Sequence, residues 1–404
     1  LGFDVGGTIT RTTLAYDQTF REWGPRNAAA GQAFGTLSGL LLPNPPELKE
    51  APGLAYMLID YRAAFAKLDA NPNLFRRIDT GANNFGDDFR DLEVTKAAYA
   101  RLLFNSDRFN FQAGLRYDRT DLTIDTFQPA DASAVQYVPV RRNTNYAYFL
   151  PSALATYNFT DEMRLRAGIS KTIGRPDYNQ YAARTSFGVS PGEILTINTG
   201  NPNLKPRESW NYDLSYEWYL GRAGMFTVAG FVKSIRNEIF TSVSRGPATE
   251  FGGIVYNNVT ISSPQNAAKA QVKGLEVAYS QDNLFLRGLG LNANLTLLDG
   301  YFVQPNSELA IAAGYDATRR TSGLIQQPDY IANVTLFYAT GPFEIRGSYN
   351  RIGRALQSAD ADTSARDTFQ EPRQQIDAQA RYRVSNGIEL VAQVQNLTGE
   401  PFSV

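Results

Sequence analysis

The strongest constraint on this chain is a repeated alternation of apolar and polar residues, in segments of roughly 9 to 18 residues. In the clearest segment, 210–220, Trp210 and Tyr212 alternate with Asn211 and Asp213. A helix, with about 3.6 residues per turn, would mix these two sets, whereas an extended strand separates them onto opposite faces. The same period returns at 109–117, 163–172, 289–297, 343–351, 376–384 and 388–395. The pattern therefore predicts β-strands that each have one apolar and one polar face.

Very short turns and long polar connections join these segments alternately. We place strands at about 8–22, 89–104, 109–126, 143–158, 162–175, 207–220, 225–240, 269–282, 287–301, 328–340, 343–354, 373–384 and 388–397. The long connections are 23–88, 127–142, 176–206, 241–268, 302–327 and 355–372. Outer-membrane barrels sort their connections in this way, whereas a soluble β-sandwich or propeller explains only the alternation within a strand. We therefore predict an all-β fold, a transmembrane antiparallel up-and-down β-barrel.

Composition excludes several other classes of protein. The 404 residues could form two or three ordinary domains, but one large barrel is equally allowed. No apolar stretch is long enough for a transmembrane helix. The chain has no cysteine and no histidine, which removes thiolate metal sites and the commonest general base, so we predict no catalytic residue, metal site or cofactor. A formal net charge of −1 gives no argument for nucleic acid as a partner.

Several motifs add a resemblance to a known family. The stretches 170–176, 200–206 and 209–219 read Ser-Lys-Thr-Ile-Gly-Arg-Pro, Gly-Asn-Pro-Asn-Leu-Lys-Pro and Ser-Trp-Asn-Tyr-Asp-Leu-Ser-Tyr-Glu-Trp-Tyr. In this order and spacing they resemble the second half of the barrel of a TonB-dependent outer-membrane receptor. Further matches lie at 114–118, 150–152, 230–233, 237–239, 273–276 and 396–399. The best fit is the subgroup of Caulobacter-like and Xanthomonas-like bacteria, often tied to uptake of carbohydrates or other complex nutrients.

The resemblance implies that residues 1–404 form an incomplete barrel. The family's barrel has about 22 strands around an N-terminal plug domain, whereas this chain offers thirteen strands and no plug. Because the chain opens at Leu1 in mid-pattern, we expect a fragment or a processed piece. By resemblance, the complete protein lies in the lipid of the bacterial outer membrane. It would bind a scarce small molecule or oligosaccharide and import it with energy from the TonB inner-membrane complex, which the missing N-terminal region would contact.

Candidate ligand-binding residues lie in two of the long connections. The connection 176–206 offers Tyr178, Tyr181 and Arg184, and the connection 302–327 offers Tyr315, Arg319 and Arg320. Aromatic rings stack on sugars or planar ligands, and the Arg fork binds carboxylates or phosphates, so we predict ligand contacts here.

A structural role is predicted for a second set of residues. Prolines fix φ and remove amide donors, while Asn permits tight turning, so these residues should end a long connection and direct the chain into the next strand. The set comprises Arg175, Pro176, Asn201, Pro202, Leu204 and Pro206.

The connection 23–88 contains the one segment with a helical pattern. Within 54–70, Leu58, Tyr61 and Phe65 fall near one face. We predict a long extracellular loop with a short helix that packs over the barrel mouth; a lid over the ligand is the alternative.

Residues 2–11 favour a different class of protein. With Asp4, Gly6 and Gly7 they resemble the first phosphate loop of sugar kinases, where glycines let backbone amides approach phosphate and the Asp holds a metal. The simpler alternative is a barrel strand whose Thr8 and Thr10 line the lumen. A nutrient receptor is therefore the leading hypothesis, a passive porin-like or other structural barrel is second, and a nucleotide-binding enzyme is third.

Overall fold

One antiparallel sheet dominates the computed structural model, which describes residues 1–17, 23–25, 60–70, 75–77, 85–86, 88–130, 136–182, 185–190, 194–221, 223–251, 254–267 and 269–401. Thirteen strands follow one another in chain order, each hydrogen-bonded to the next. They are β1 (Gly2–Tyr16), β2 (Phe89–Asn105), β3 (Phe109–Pro129), β4 (Tyr137–Asn158), β5 (Met163–Gly174), β6 (Arg207–Tyr219), β7 (Gly224–Arg236), β8 (Lys269–Gln281), β9 (Leu289–Pro305), β10 (Tyr330–Thr340), β11 (Phe343–Ile352), β12 (Arg373–Ser385) and β13 (Ile388–Val394). In the described residues β1 and β13 are the edges of this sheet, so the barrel is partial.

The sequence predicted this order of strands, and the all-β fold is confirmed, but two boundaries were wrong. The first strand was expected at 8–22 and lies at Gly2–Tyr16, where it pairs with β2 along its whole length. The pair Gly6-Gly7 interrupts the visible alternation without breaking the ladder. The expected loop at 127–142 is largely a continuation of the hairpin of β3 and β4, which pair as far as Pro129 and Tyr137.

The two faces of the sheet differ in chemistry. Tyr212 and Leu214 of β6 are exposed on one face, level with Val232 of β7. The opposite face carries polar contacts between strands, such as Arg166 Nε at 2.8 Å from Glu217 Oε1. We call the apolar face the outer face and the polar face the inner face. This division is the one expected when lipid contacts every second side chain.

Glycines with positive φ close two of the short turns. Gly341 (φ 55°) joins β10 to β11 together with Pro342. Gly288 (φ 89°) precedes β9, and a Cβ there would lie 2.0 Å from the carbonyl oxygen of Ala339. A side chain at either position would strain the backbone, and at Gly288 it would also collide with β10.

The buried apolar residues lie mainly at the end of the sheet that bears the long connections. The largest cluster comprises Ile235, Phe240, Ala267, Ala270, Val272, Phe302, Leu356 and Ala359. A second comprises Leu122, Ile124, Tyr181 and Leu204, and a third Leu195, Tyr256 and Val259. Burial of apolar surface therefore stabilises the connections, whereas the outer face of the spanning strands remains exposed.

The connections contain short strands and helices of their own. The strands are Trp23–Pro25, Phe75–Arg77, Thr185–Ser190, Ile194–Thr199, Ile239–Gly246, Thr249–Phe251, Ile254–Tyr256, Asn258–Asn266, Thr318–Arg320, Ala355–Ser358 and Thr368–Gln370. The α-helices are Tyr61–Ala70, Tyr178–Tyr181 and Glu308–Ala312, and Ser364–Arg366 is a 3₁₀ turn. Within the described ranges, none of these helices has the length and apolar character needed to cross a membrane.

Two further expectations concern the first part of the chain. The helix predicted at 54–70 is described from Tyr61 to Ala70, and residues 54–59 lie outside the described residues. Tyr61 and Phe65 are exposed, so the packing expected of that face is not formed by these two side chains. The phosphate-loop interpretation of residues 2–11 is not favoured, because they belong to the uninterrupted strand β1.

Candidate functional site

The long connections that follow β5, β7, β9 and β11 lie together at one end of the sheet. We call these connections, residues 175–206, 237–268, 306–329 and 353–372, the loop layer. Two of them share a sheet of four short strands, in which Ile194–Thr199 runs parallel to Asn258–Asn266. Backbone hydrogen bonds of this kind fix the two connections to each other, although they are about 60 residues apart in sequence.

Polar contacts at Asp360 join the other connections to this layer. Arg319 donates to both oxygens of Asp367, at 3.1 and 2.5 Å, and to the carbonyl oxygen of Asp360, at 2.7 Å. Gln304 Nε2 donates to the same carbonyl at 2.8 Å. Asp360 also forms an isolated bridge with Val243. Three connections are therefore tied together around one turn of chain.

Arg175 connects the end of β5 to the inner face of β3. Its Nη2 donates to Asp118 Oδ1 at 2.7 Å and to Thr120 Oγ1 at 3.2 Å. Asp118 and Thr120 are buried, and Asp118 also accepts a bond of 2.8 Å from Arg116. A buried carboxylate with two guanidinium partners is held in one position, so this group fixes the start of the 175–206 connection.

Beside Arg175, two tyrosines bring hydroxyl groups into a largely apolar cluster. Tyr181 is fully buried against Leu122 and Ile124, and Tyr146 packs on the same cluster. The two hydroxyl groups interact with each other, and that of Tyr146 also interacts with Thr120. Burial raises the pKa of both hydroxyls above the usual value, so both are neutral at physiological pH.

Asp91 is the most unusual polar group at this end of the sheet. It lies on the inner face of β2, is fully buried, and neither carboxylate oxygen has a partner in the described part of the chain. Burial, together with smaller contributions from the neighbouring carboxylates of Asp125 and Glu93, raises the pKa of Asp91 from 3.8 to about 7. Near neutral pH, Asp91 can therefore either donate or accept a hydrogen bond.

The chemistry of this arrangement is suited to binding a ligand. Within the described ranges, no three acidic, histidine or cysteine side chains are grouped as a metal site. The carboxyl group of Asp91, which has no partner among the described residues, lies under a layer of connections that is itself firmly held. A rigid layer above a polar interior is suited to selective binding at the barrel mouth.

Comparison with known proteins decides the family. Residues 2–397 match the model described as TonB dependent receptor-like, beta-barrel. The chain belongs to this family. Members of the family are outer-membrane proteins of Gram-negative bacteria, and the outer-membrane location predicted from the sequence is confirmed.

Individual relatives of the receptor barrel are distant. Hemoglobin-haptoglobin utilization protein B of Neisseria meningitidis is 25% identical over 247 residues, which cover 55% of this chain and 30% of that protein. The ferric-catecholate import receptor Fiu of E. coli K12 has a similar fold, with a TM-score of 0.55, 18% identity, and coverage of 78% of this chain and 42% of that one. The ferric yersiniabactin uptake receptor FyuA of Yersinia pestis also has a similar fold, with a TM-score of 0.52 and 16% identity. The match covers 77% of this chain and 41% of that one. This chain therefore spans less than half of each of these proteins.

The six residues predicted to contact ligand fall into two groups in the receptor barrel. Tyr178 and Tyr181 lie together in the four-residue helix after Arg175, with Tyr178 half-buried and Tyr181 fully buried. Arg184 lies outside the described residues.

The second group lies in the 306–329 connection. Tyr315 is exposed at 59%. Arg319 is bound to Asp367 and Asp360, and Arg320 stacks over the ring of Tyr301 at 3.6 Å. Tyr315 and Arg320 are exposed, whereas Arg319 is half-buried.

The Gly-Asn-Pro-Asn-Leu-Lys-Pro stretch connects the loop layer to β6. The backbone N–H of Asn201 donates to the carbonyl oxygen of Gln180 at 2.8 Å. The side-chain Nδ2 of Asn201 donates to the carbonyl oxygen of Pro264 at 3.1 Å. Leu204 and Pro206 are buried, and a Cβ at Gly200 would lie 1.7 Å from the carbonyl oxygen of Ala182. Contacts of this kind position the chain and leave little surface for a ligand.

Sequence reasoning missed Asp91, Asp118 and Tyr146. Each occupies an inner-face position of a strand whose pattern looks like any other alternating segment. Their burial depends on the connections above them, so only the three-dimensional fold singles them out.

Proposed function

We propose that the complete protein is a receptor that binds a scarce nutrient at the loop layer and imports it with energy from the TonB system. The observation that carries this proposal is the family match over residues 2–397, combined with a loop layer that several connections share at one end of the barrel. Connections that are fixed to one another in this way can present a defined binding surface. Energy coupling is proposed to act through a plug and a TonB-binding segment, neither of which is among the described residues.

We propose an iron-bearing ligand, such as a ferric siderophore or haem. Relatives named for ferric-catecholate import, ferric yersiniabactin uptake and hemoglobin-haptoglobin utilization support this class. The carbohydrate ligand suggested by the Caulobacter-like and Xanthomonas-like subgroup stays a prediction and is the natural competitor.

Tyr315 and Tyr178 are the residues that we propose as ligand contacts. Tyr315 is exposed in the loop layer, and Tyr178 is half-buried against the cluster of Leu122 and Ile124, near Arg175. Tyrosine rings supply rigid, amphipathic contact surface for planar, aromatic iron chelates. Arg319 is less suited to direct contact, because its guanidinium already binds Asp367.

Uptake of labelled compounds by cells tests the proposal. A strain that lacks the gene, and a second strain that lacks TonB, are compared with the parent for uptake of a ferric catecholate, haem and a maltodextrin. We expect uptake of one iron compound to be lost in both strains. Uptake that depends on the gene but not on TonB would favour a passive pore, and loss of maltodextrin uptake alone would favour the carbohydrate ligand.

Site variants refine the same assay. Tyr315→Ala should raise the half-saturating concentration of the ligand about tenfold. An aromatic ring that a bound ligand covers contributes on the order of 1–2 kcal/mol to the free energy of binding. Phe343→Ala, which removes an exposed aromatic ring at the opposite end of the outer face, is the matched control and should leave that concentration unchanged.

A further inference from the structure

Cations mark the upper limit of the apolar band on the outer face. Following each strand from its short-turn end, the first charged outward residue on β1 to β5 is Arg11, Lys96, Arg119, Arg141 and Lys171 respectively. On β6 it is Glu208, which lies 2.7 Å from Lys171 and is therefore neutralised by it. On β4, Arg141 lies six residues beyond Ala147, the partner of Arg119, and it is bound to Asp125. The excess positive charge at this border therefore lies on β1, β2 and β3.

This border lies at the height expected of lipid headgroups. On β2 the outward residues Phe104, Leu102, Ala100 and Ala98 precede Lys96. Eight residues of a tilted strand rise about 20 Å, which approaches the roughly 25 Å height of the apolar band in outer-membrane barrels. The ammonium group of Lys96 is therefore placed where the acyl chains end.

A groove opens on the outer face directly beneath these cations. It spans β1, β2 and β3 and has a volume of about 520 Å³. Gly7 and Ala98 oppose each other in the ladder and form its shallow floor, while Ile9 and Tyr117 form higher walls. Small residues between large ones leave a shallow groove that can accept an apolar chain.

The charges above the groove do not balance. Asp121 accepts from Arg119 Nε and Nη2 at 3.2 and 3.0 Å, and Lys96 Nζ lies 3.6 Å from its other oxygen. Arg11 lies two residues further along β1 than Ile9, the partner of Lys96. Lys96 and Arg119 therefore share one carboxylate, and Arg11 lies on the same ladder line, opposite Val94, which pairs with Asp121. Lys96 and Arg119 keep about half of their side-chain surface exposed.

We propose that Lys96, Arg119 and Arg11 bind the phosphate of an anionic lipid in the outer leaflet, with one acyl chain of that lipid in the groove formed by Gly7, Ala98, Ile9 and Tyr117. A guanidinium fork matches phosphate oxygens in pairs, and an ammonium adds a point charge. The excess positive charge selects an anionic headgroup, and the groove selects a molecule with a chain. This site depends on the outer-membrane location alone and is independent of the imported ligand.

Binding of defined lipids to the detergent-purified protein, expressed from its complete gene, tests the proposal by native mass spectrometry. The probes are dimyristoyl phosphatidic acid, dimyristoyl phosphatidylcholine and inorganic phosphate. We expect phosphatidic acid to bind at least about tenfold more tightly than phosphatidylcholine, which has the same chains and no net charge. Equal binding of the two lipids, or equally tight binding of inorganic phosphate, would overturn the proposal.

Three variants locate the site. The double variant Lys96→Gln/Arg119→Gln should weaken phosphatidic acid binding about tenfold. Ala98→Phe fills the groove with an apolar side chain on a lipid-exposed face and should weaken this binding about fivefold. Arg287→Gln removes a cation from a short turn at the other end of the sheet and should change nothing. Circular dichroism confirms that each variant is folded. Unchanged binding in the double variant, or in Ala98→Phe, contradicts the assignment.

Discussion

Replacing Asp91 by Asn should remove a pH-dependent loss of stability from this receptor barrel. Asp91 is fully buried on β2, and no described residue provides a hydrogen-bond partner for its carboxylate. Its pKa is raised from 3.8 to about 7 by burial, with Asp125 and Glu93 adding to the effect. The folded protein therefore favours the protonated, neutral carboxyl, and the charged form is tolerated only at a cost.

The size of the effect follows from this shift. Because the folded-state pKa is the higher one, the stabilisation is fully present below pH 3.8 and is lost as the pH rises through about 7. Between pH 5 and pH 8 the expected loss in free energy of unfolding is about 2.7 kcal/mol. Asn is neutral throughout and has nearly the same shape, so the variant should not show this loss.

Urea unfolding in detergent micelles at pH 5 and pH 8 measures the difference. The protein expressed from its complete gene is compared with Asp91→Asn and with Asp316→Asn, which neutralises an exposed acid in the loop layer. The change in free energy of unfolding between pH 5 and pH 8 should be smaller than in wild type only for Asp91→Asn, by about 2 to 3 kcal/mol. A difference between the Asp91→Asn variant and wild type that is the same at both pH values would refute the argument.

Three further predictions concern the sheet and the loop layer. Leu214→Lys on the outer face should lower the free energy of unfolding of the membrane-inserted protein by about 2–4 kcal/mol, and Ser215→Lys on the inner face should lower it much less. Unfolding from lipid vesicles measures both changes. Arg175→Met should lower the free energy of unfolding by about 1–3 kcal/mol, because it leaves the buried carboxylate of Asp118 with a single guanidinium partner. The double variant Arg175→Met/Asp118→Asn should recover part of this loss. Full additivity of the two substitutions in a double-mutant cycle would contradict the contact. Gly200→Ala should destabilise by about 1–3 kcal/mol because its Cβ would lie 1.7 Å from the carbonyl oxygen of Ala182, and an unchanged unfolding midpoint would contradict the packing at that site.

The spanning sheet could be predicted from sequence because its signal is local. Each strand alternates between an apolar face and a polar face, and each short turn is marked by residues such as Gly341 and Asn283, both of which adopt positive φ. The errors arose where a local signal was ambiguous. Gly6 and Gly7 hid the start of β1, and the polar hairpin around Pro129 looked like a loop although its ladder continues.

The loop layer could not be predicted in the same way, because its structure depends on residues far apart in sequence. The parallel pairing of Ile194 with Asn258, and the binding of Arg319 to Asp367, have no signature within their own segments. Arg319 was predicted as a ligand contact from its residue type and position in a long connection. Residue type alone does not show whether such a group meets a ligand or another connection.

The central claim is that these strands cross the outer membrane with the loop layer outside the cell, and single-cysteine labelling tests it most directly. The chain contains no cysteine, so Tyr315→Cys in the loop layer and Asp161→Cys in the short turn between β4 and β5 each introduce one thiol. A membrane-impermeant maleimide should label Tyr315→Cys on intact cells and Asp161→Cys only after the outer membrane is permeabilised. Labelling of Asp161→Cys on intact cells, with Tyr315→Cys protected, would contradict the orientation and with it the proposed site of ligand entry.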